Sequence, residues 1–382
     1  MSNRPSPDWN PRNVSVLRDQ QRAYDEMRER CPVAYNDSLG WSLFDHQDIA
    51  SVLADPETYS SASPHRAVPA GMDPPEHTRY RRVLELYFRP DQMRAFAPRC
   101  RRIAVDLLPS LIGRDEVEGI AAFAQPFAFK TLCAFLGWPA ESWENLRGWA
   151  HGNQAVAFSR DKEAGAALAR EFTGYVTEAL RVRREAGVDA SDDLITHLMK
   201  TAVEGTVLSD DDIVSLLRNF TAGHGTVAAA LGILMYYLAE HTDRQQQLRH
   251  EPALLPAAID EILRADGPLV ANRRTTTRAV EIGGRKIAVG EKLSLNWIAG
   301  NRDGRVFDAP DAVRFDRDPE NNLLFGAGIH YCLGAPLARL EMRVAMEELL
   351  TRTTMIELGA TETRQRDISP SNGFRVMPVR LR

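Results

Sequence analysis

Phe325-Gly-Ala-Gly-Ile-His-Tyr-Cys-Leu-Gly334 leads straight into a segment in which Leu337, Leu340, Val344 and Leu349 recur at roughly helical spacing. Pro336 is pre-set for a first helical turn, so Cys332 should sit at a helix start. There the partial positive charge and the unpaired N–H groups favour a thiolate over a thiol, and the thiolate is the metal-binding form. One such sulfur with no second thiol nearby suits a single metal ligand. Gly326, Gly328 and Gly334 let the backbone turn tightly and make room for a flat cofactor, because glycine reaches positive φ without steric cost.

Phe325 seven residues before the cysteine, Gly328 four before, His330 two before and Gly334 two after form a set of fixed offsets. The set resembles the haem-binding signature of the cytochromes P450. The resemblance extends over nearly the whole chain and implies the P450 fold, mainly α with a small β region, as one haem domain over residues 1–382. It also implies haem b with Cys332 as the iron ligand. Phe325 would shield the sulfur, and the N–H groups after Cys332 would tune the iron.

The 382 residues are 44% hydrophobic, enough for a large core, and carry a net charge of −5. With a pI near 6.0 and dispersed Lys and Arg, the chain is not expected to bind nucleic acid or an anionic membrane surface. Met1 to Pro11 is polar and proline-containing, so neither a signal peptide nor a membrane anchor is expected, and a cytoplasmic monomer follows. Cys31, Cys100, Cys133 and Cys332 lie far apart, which suits a reducing compartment better than a disulfide framework or a zinc site.

Helical patterns dominate, at about 16–30, 46–54, 74–87, 91–112, 117–136, 141–157, 162–186, 191–202, 210–239, 243–249, 253–265 and 335–352. Hairpins are expected from Val33–Tyr35 with Trp41–Phe44, from Val280–Ile287 around Gly283-Gly284, and at the C-terminus around Asn372-Gly373. Lys292–Asn296 reads as a further strand.

The long central helix opens at Ser209 with Asp212 three residues on. Gly223 and Gly225 lie mid-helix, each costing about 1 kcal/mol relative to Ala, and Thr226 follows. Ala222-Gly223-His224-Gly225-Thr226 looks like the P450 segment that crosses the distal haem face and widens locally, its threonine assisting dioxygen. In that family an acid usually precedes the threonine and helps deliver protons. Here Gly225 stands instead, so His224, which titrates near neutrality, or ordered water is the candidate carrier.

Glu261 and Arg264, three apart on one helix face, resemble the family's structural ion pair. His77, Arg81, Arg274 and His330 match its partners for the haem propionates, with Arg273 as a neighbouring fallback; bidentate Arg suits carboxylates best. By the same analogy the pocket wall comprises Ser61 to Met72, the helix pair around 150–175, Phe220, Ala222, Leu269, Val270, Ala271, Gly373 and Phe374. Residues 61–72 are short for a lid helix.

The resemblance implies a monooxygenase inserting one oxygen atom from O2 into a small lipophilic molecule, by hydroxylation or O-dealkylation. The length leaves no room for a fused reductase, so electrons are expected from NAD(P)H through a ferredoxin and its reductase. Arg99, Arg101, Arg102 and Arg339 would form the docking face. Gly225 also admits peroxide-driven oxygenation or nitric-oxide reduction.

Overall fold

In the computed structural model the described residues are 5–187, 192–360 and 364–382. The architecture turns on the helix Asp210–Glu240, which we call the distal helix. Ser209 caps it through a reciprocal bond with Asp212, and Asp210, Asp211 and Asp212 place negative charge on the first turn. Its length and apolarity would allow it to cross a membrane, yet it is mostly buried. Ile213, Leu216 and Leu217 enter one apolar cluster with Phe129, Trp149 and Phe172, while Leu231, Leu234 and Met235 enter a second with Leu340, Val344 and Leu349.

Against the distal helix pack Gln125–Leu136, Trp143–Ser159, Lys162–Ala186 and Leu255–Ala265, together with Ala335–Arg352, which we call the cysteine helix. The β region lies to one side. Its main sheet has the order Val33–Asn36, Gly40–Leu43, Lys292–Asn296, Ala271–Thr276, Tyr59–Ser60, antiparallel except for the parallel pairing of Lys292–Asn296 with Gly40–Leu43. The strand Ala271–Thr276 is absent from the sequence reading because Asn272, Arg273 and Arg274 break any apolar alternation.

Other departures are local. Residues 16–30 form two helices, Val14–Arg18 and Gln20–Arg30, because Asp19 leaves helical geometry to cap the second. The expected helix 117–136 begins as a short strand, Val117–Glu118, then a π-helical turn, Ile120–Ala124. The C-terminal hairpin forms from Gln365–Arg366 and Phe374–Val376. A Cβ at Gly373 would lie 2.7 Å from the Ala229 Cβ, so only glycine lets this hairpin reach the distal helix. Residues 61–72 contain no helix. The loop is pinned instead: Val68 N–H donates to Ser215 Oγ at 2.8 Å, Asn219 Nδ2 to the Val68 carbonyl at 3.0 Å, and Arg66 pairs with Asp212.

Glu261 and Arg264 are buried and bonded through both guanidinium edges, at 2.7 and 3.0 Å. Arg264 also reaches the Asn301 carbonyl at 2.7 Å, and Arg317 Nε meets Glu261 at 2.9 Å. The pair thus ties the helix Leu255–Ala265 to the segment leading to the cysteine loop. Arg264→Ala would strip the buried Glu261 carboxylate of its bidentate partner, leaving Arg317 and the Arg314 N–H, and is expected to cost about 3 kcal/mol, read as a lower denaturation midpoint.

Candidate functional site

The cysteine loop is held by its own backbone. Cys332 N–H donates to the Phe325 carbonyl at 2.9 Å, Gly326 N–H to Leu323 at 2.9 Å and Tyr331 N–H to Gly328 at 3.0 Å. Gly326 and Gly328 both adopt φ near +70°, at 69° and 68°, and a Cβ at Gly328 would stand 2.5 Å from the Leu53 carbonyl. Cys332 is the exposed thiol of the four, although protein crowds around it. That crowding raises the thiol's pKa; the N–H groups of Gly334 and Ala335, with Arg81 and Arg339, pull it down but do not prevail. The helix start therefore does not by itself yield a thiolate. Coordination to a metal would deprotonate it outright.

The distal helix packs against the cysteine helix. Gly223, in the middle of that buried helix, is exposed, and a Cβ there would meet nothing within 4 Å. Thr226 is half-buried, and its hydroxyl makes no hydrogen bond among the described residues, unlike Thr221, which donates to the Leu217 carbonyl at 2.8 Å. The helix runs through this segment as unbroken α-helix, without the expected widening.

His77, Arg274 and His330 converge from three elements. The rings of His77 and His330 lie 4.2 Å apart, and both His77 nitrogens and His330 Nε2 are buried without partners. Burial first, then the neighbouring cations, lowers both imidazole pKa values, that of His330 to about 4, so both are neutral N–H donors near pH 7. Arg274 donates to the Arg273 carbonyl at 2.8 Å and forms no ion pair among the described residues; burial lowers its pKa, opposed by Asp73. A half-buried cation beside orphaned buried donors suits an anionic ligand. With a thiol, glycines opening both faces and this cradle, the residues fit a haem and its propionates.

Arg81 departs from the expected role. It is spent on Glu85, at 2.5 Å, and on the Tyr331 carbonyl, at 2.6 Å, and so braces the cysteine loop. Phe325 stacks under the Arg339 guanidinium, 4.4 Å from the ring centroid.

His224 requires correction. It is buried, its Nδ1 donating to the Phe220 carbonyl at 2.8 Å and its Nε2 facing Glu341 of the cysteine helix at 3.1 Å. Successive helix positions turn by about 100°, which carries this side chain away from the face of Gly225 and Thr226. Burial would lower its pKa, but Glu341 and the Phe220 carbonyl outweigh it, and the net shift is upward. The polar group that does stand at Gly225 escaped the sequence reading: Gln154 Nε2, from the helix Trp143–Ser159, lies 3.4 Å from where a Cβ at Gly225 would be. No motif marks it, since the contact joins residues far apart in the chain.

Two pocket assignments also change. Val270 is buried with Tyr24, Phe44 and Ile298, and Phe374 is buried against Tyr236 at 4.8 Å. Both are core residues, because alternation turns them inward. Phe220 packs edge-on against Phe88 at 5.7 Å and stays half-buried. Leu269 stays half-buried, bridged to Ser371.

The family profile described as Cytochrome P450 matches residues 156–380. The chain belongs to the cytochrome P450 family. It is 32% identical to the cyclomarin C epoxidase CymV of Salinispora arenicola (strain CNS-205), covering 96% of each chain. It is 33% identical to an erythromycin C-12 hydroxylase of Saccharopolyspora erythraea, over 92% of each. The solved structure of CalO2 superposes with a TM-score of 0.87 at 28% identity, over 99% of each chain. These relatives make the chain an enzyme of the P450 monooxygenase class, with haem as its cofactor.

His224→Ala is expected to destabilise the protein by about 3 kcal/mol, since it leaves Glu341 buried and unpaired. Because the histidine's pKa is raised on folding, its contribution is complete below about pH 6.5, the unfolded value, and is lost as pH rises through the folded one. Denaturant midpoints of wild type and His224→Gln should therefore converge on going from pH 6 to 9.

Proposed function

We propose that this P450 hydroxylates or O-dealkylates a small, largely apolar organic molecule, taking electrons from NAD(P)H through a ferredoxin and its reductase. The observation that carries the reading is the Thr226 hydroxyl, unbonded among the described residues, beside the open face of Gly223, together with the exposed thiol of Cys332. Bound haem would supply the oxygen chemistry, in which O2, two electrons, two protons and a C–H bond become an alcohol and water. Cys332 would be its ligand, with Gly223, Gly326 and Gly334 leaving space for the ring. His77, His330 and Arg274 would hold its carboxylates.

Thr226 is a donor and acceptor at a fixed point on the distal wall, and its role is to hold a proton there. Gly225 removes the neighbouring acid, and His224 is not a substitute, being tied to Phe220 and Glu341. The Gln154 amide can orient water in that gap but does not titrate near neutrality. Proton supply through water is thus the reading that fits. The pinned loop 61–72, lacking a helix, limits solvent entry at the distal helix.

The proposed docking face is less basic than its sequence suggests. Arg101 is paired with Glu347 and Glu348, and Arg339 with Asp260, leaving Arg99 and Arg102 of the four. A surface recess of about 780 Å³ is lined in part by Met93, Arg94, Pro336, Arg339 and Arg343. It lies on the cysteine-helix side, away from the distal wall, and suits a protein contact rather than the substrate.

The absent acid supports one alternative, use of peroxide or nitric oxide in place of O2 and a redox partner. Turnover with ferredoxin, reductase and NADPH, compared with hydrogen peroxide alone and with NADH plus nitric oxide, separates the readings; exclusive turnover with either substitute would overturn the first. Thr226→Ala should raise peroxide release several-fold per NADPH consumed while leaving the reduced carbon-monoxide spectrum intact. Cys332→Ala should abolish that spectrum. Raising salt from 50 to 500 mM should slow partner-driven turnover, because charge steering is screened.

A further inference from the structure

The cysteine helix packs against the distal helix, against Gln125–Leu136 and against Pro90–Leu107. Each of these four helices turns one polar side chain inward. Glu341, Thr131 and Cys100 are wholly buried, and His224 is nearly so. The apolar cluster around them includes Phe127, Ala128, Val227, Val344 and Ala345.

Two of the four have hydrogen-bonding capacity that the protein does not use. Glu341 Oε1 faces His224 Nε2 at 3.1 Å, but Oε2 has no partner among the described residues. Glu348, two turns further along the same helix, shows the contrast, because its carboxylate meets both Arg101 and Arg352. The Thr131 hydroxyl is likewise without a partner among the described residues. Two other buried threonines return the hydroxyl to the carbonyl four residues back, Thr221 to Leu217 at 2.8 Å and Thr353 to Leu349 at 2.7 Å. Thr131 does not. The Cys100 thiol senses both groups: burial raises its pKa, the Glu341 charge raises it further, and the Thr131 hydroxyl opposes them.

A carboxylate oxygen and a hydroxyl, both fully enclosed and both unclaimed, are the polar lining that an internal water requires. We propose that one water molecule is bound at this junction, donating to Glu341 Oε2 and accepting from the Thr131 hydroxyl, with Cys100 Sγ as its third neighbour. Through it, His224, Glu341 and Thr131 become one connected network in which each member holds the next. The distal helix is thereby fixed to two of its neighbours at once, which sets the direction in which Gly223 and Thr226 face. The water is a positioning element and takes no part in oxygen chemistry.

Crystals of the haem-loaded protein, at a resolution that orders internal waters, should show one density peak about 2.5–3.0 Å from both Glu341 Oε2 and Thr131 Oγ1. Oxygen-17 relaxation dispersion of the reduced carbon-monoxide adduct should count one long-lived water fewer in Thr131→Val, which keeps the branched shape and removes the hydroxyl. Thr131→Ser should retain that water. The infrared C–O stretch of the same adduct reads the distal wall, and it should shift in Thr131→Val but match wild type in Thr131→Ser, with the visible spectrum unaltered in both. A wild-type junction without the peak, or one in which Glu341 and Thr131 bond directly to each other, overturns the water site, and this crystal decides it even if Thr131→Val does not fold. An unshifted stretch in a Thr131→Val protein that has lost the water overturns the link to the distal wall.

Discussion

The bond from Cys332 N–H to the Phe325 carbonyl, 2.9 Å long, closes the loop on which the rest of the site depends. It holds one exposed sulfur in place, and the elements around it brace the loop that carries it. Arg81 grips the loop from one side through the Tyr331 carbonyl, and Arg339 from the other through Tyr331 Oη at 2.8 Å. The buried Glu261–Arg264 pair fixes the preceding segment through the Asn301 carbonyl. Isolated, such a buried ion pair need not add stability; its value here is that it joins elements distant in sequence.

Desolvation governs the chemistry of the site. It raises the Cys332 thiol, keeps His77 and His330 neutral and lowers Arg274. Each of these groups is uncomfortable without a charged or coordinating partner, and a metal macrocycle with two carboxylates relieves all of them together.

The distal helix couples the two sides. His224 reaches from it to Glu341 on the cysteine helix, so the wall that faces substrate is fastened to the element that presents sulfur. Gly225 and Gln154 form the complementary contact on the other side. A residue that resembled a proton carrier is therefore a brace, and a glutamine without any motif occupies the place beside the missing acid.

Much was legible in the residues alone. Fixed offsets around Cys332, the capping residues Ser209 and Asp212, and the glycines at 223, 326 and 328 announced the family, the central helix and the open faces, because backbone conformation and capping are local properties. Side-chain direction was not legible. His224, Val270 and Phe374 were placed at the site by their proximity in sequence to site residues, and each turns into the core. Gln154 beside Gly225, and the pairing of Arg101 and Arg339 with acids, likewise depend on which distant elements pack together. Long-range packing sets the neighbours of a side chain, and neighbours set its charge, its partners and its chemistry.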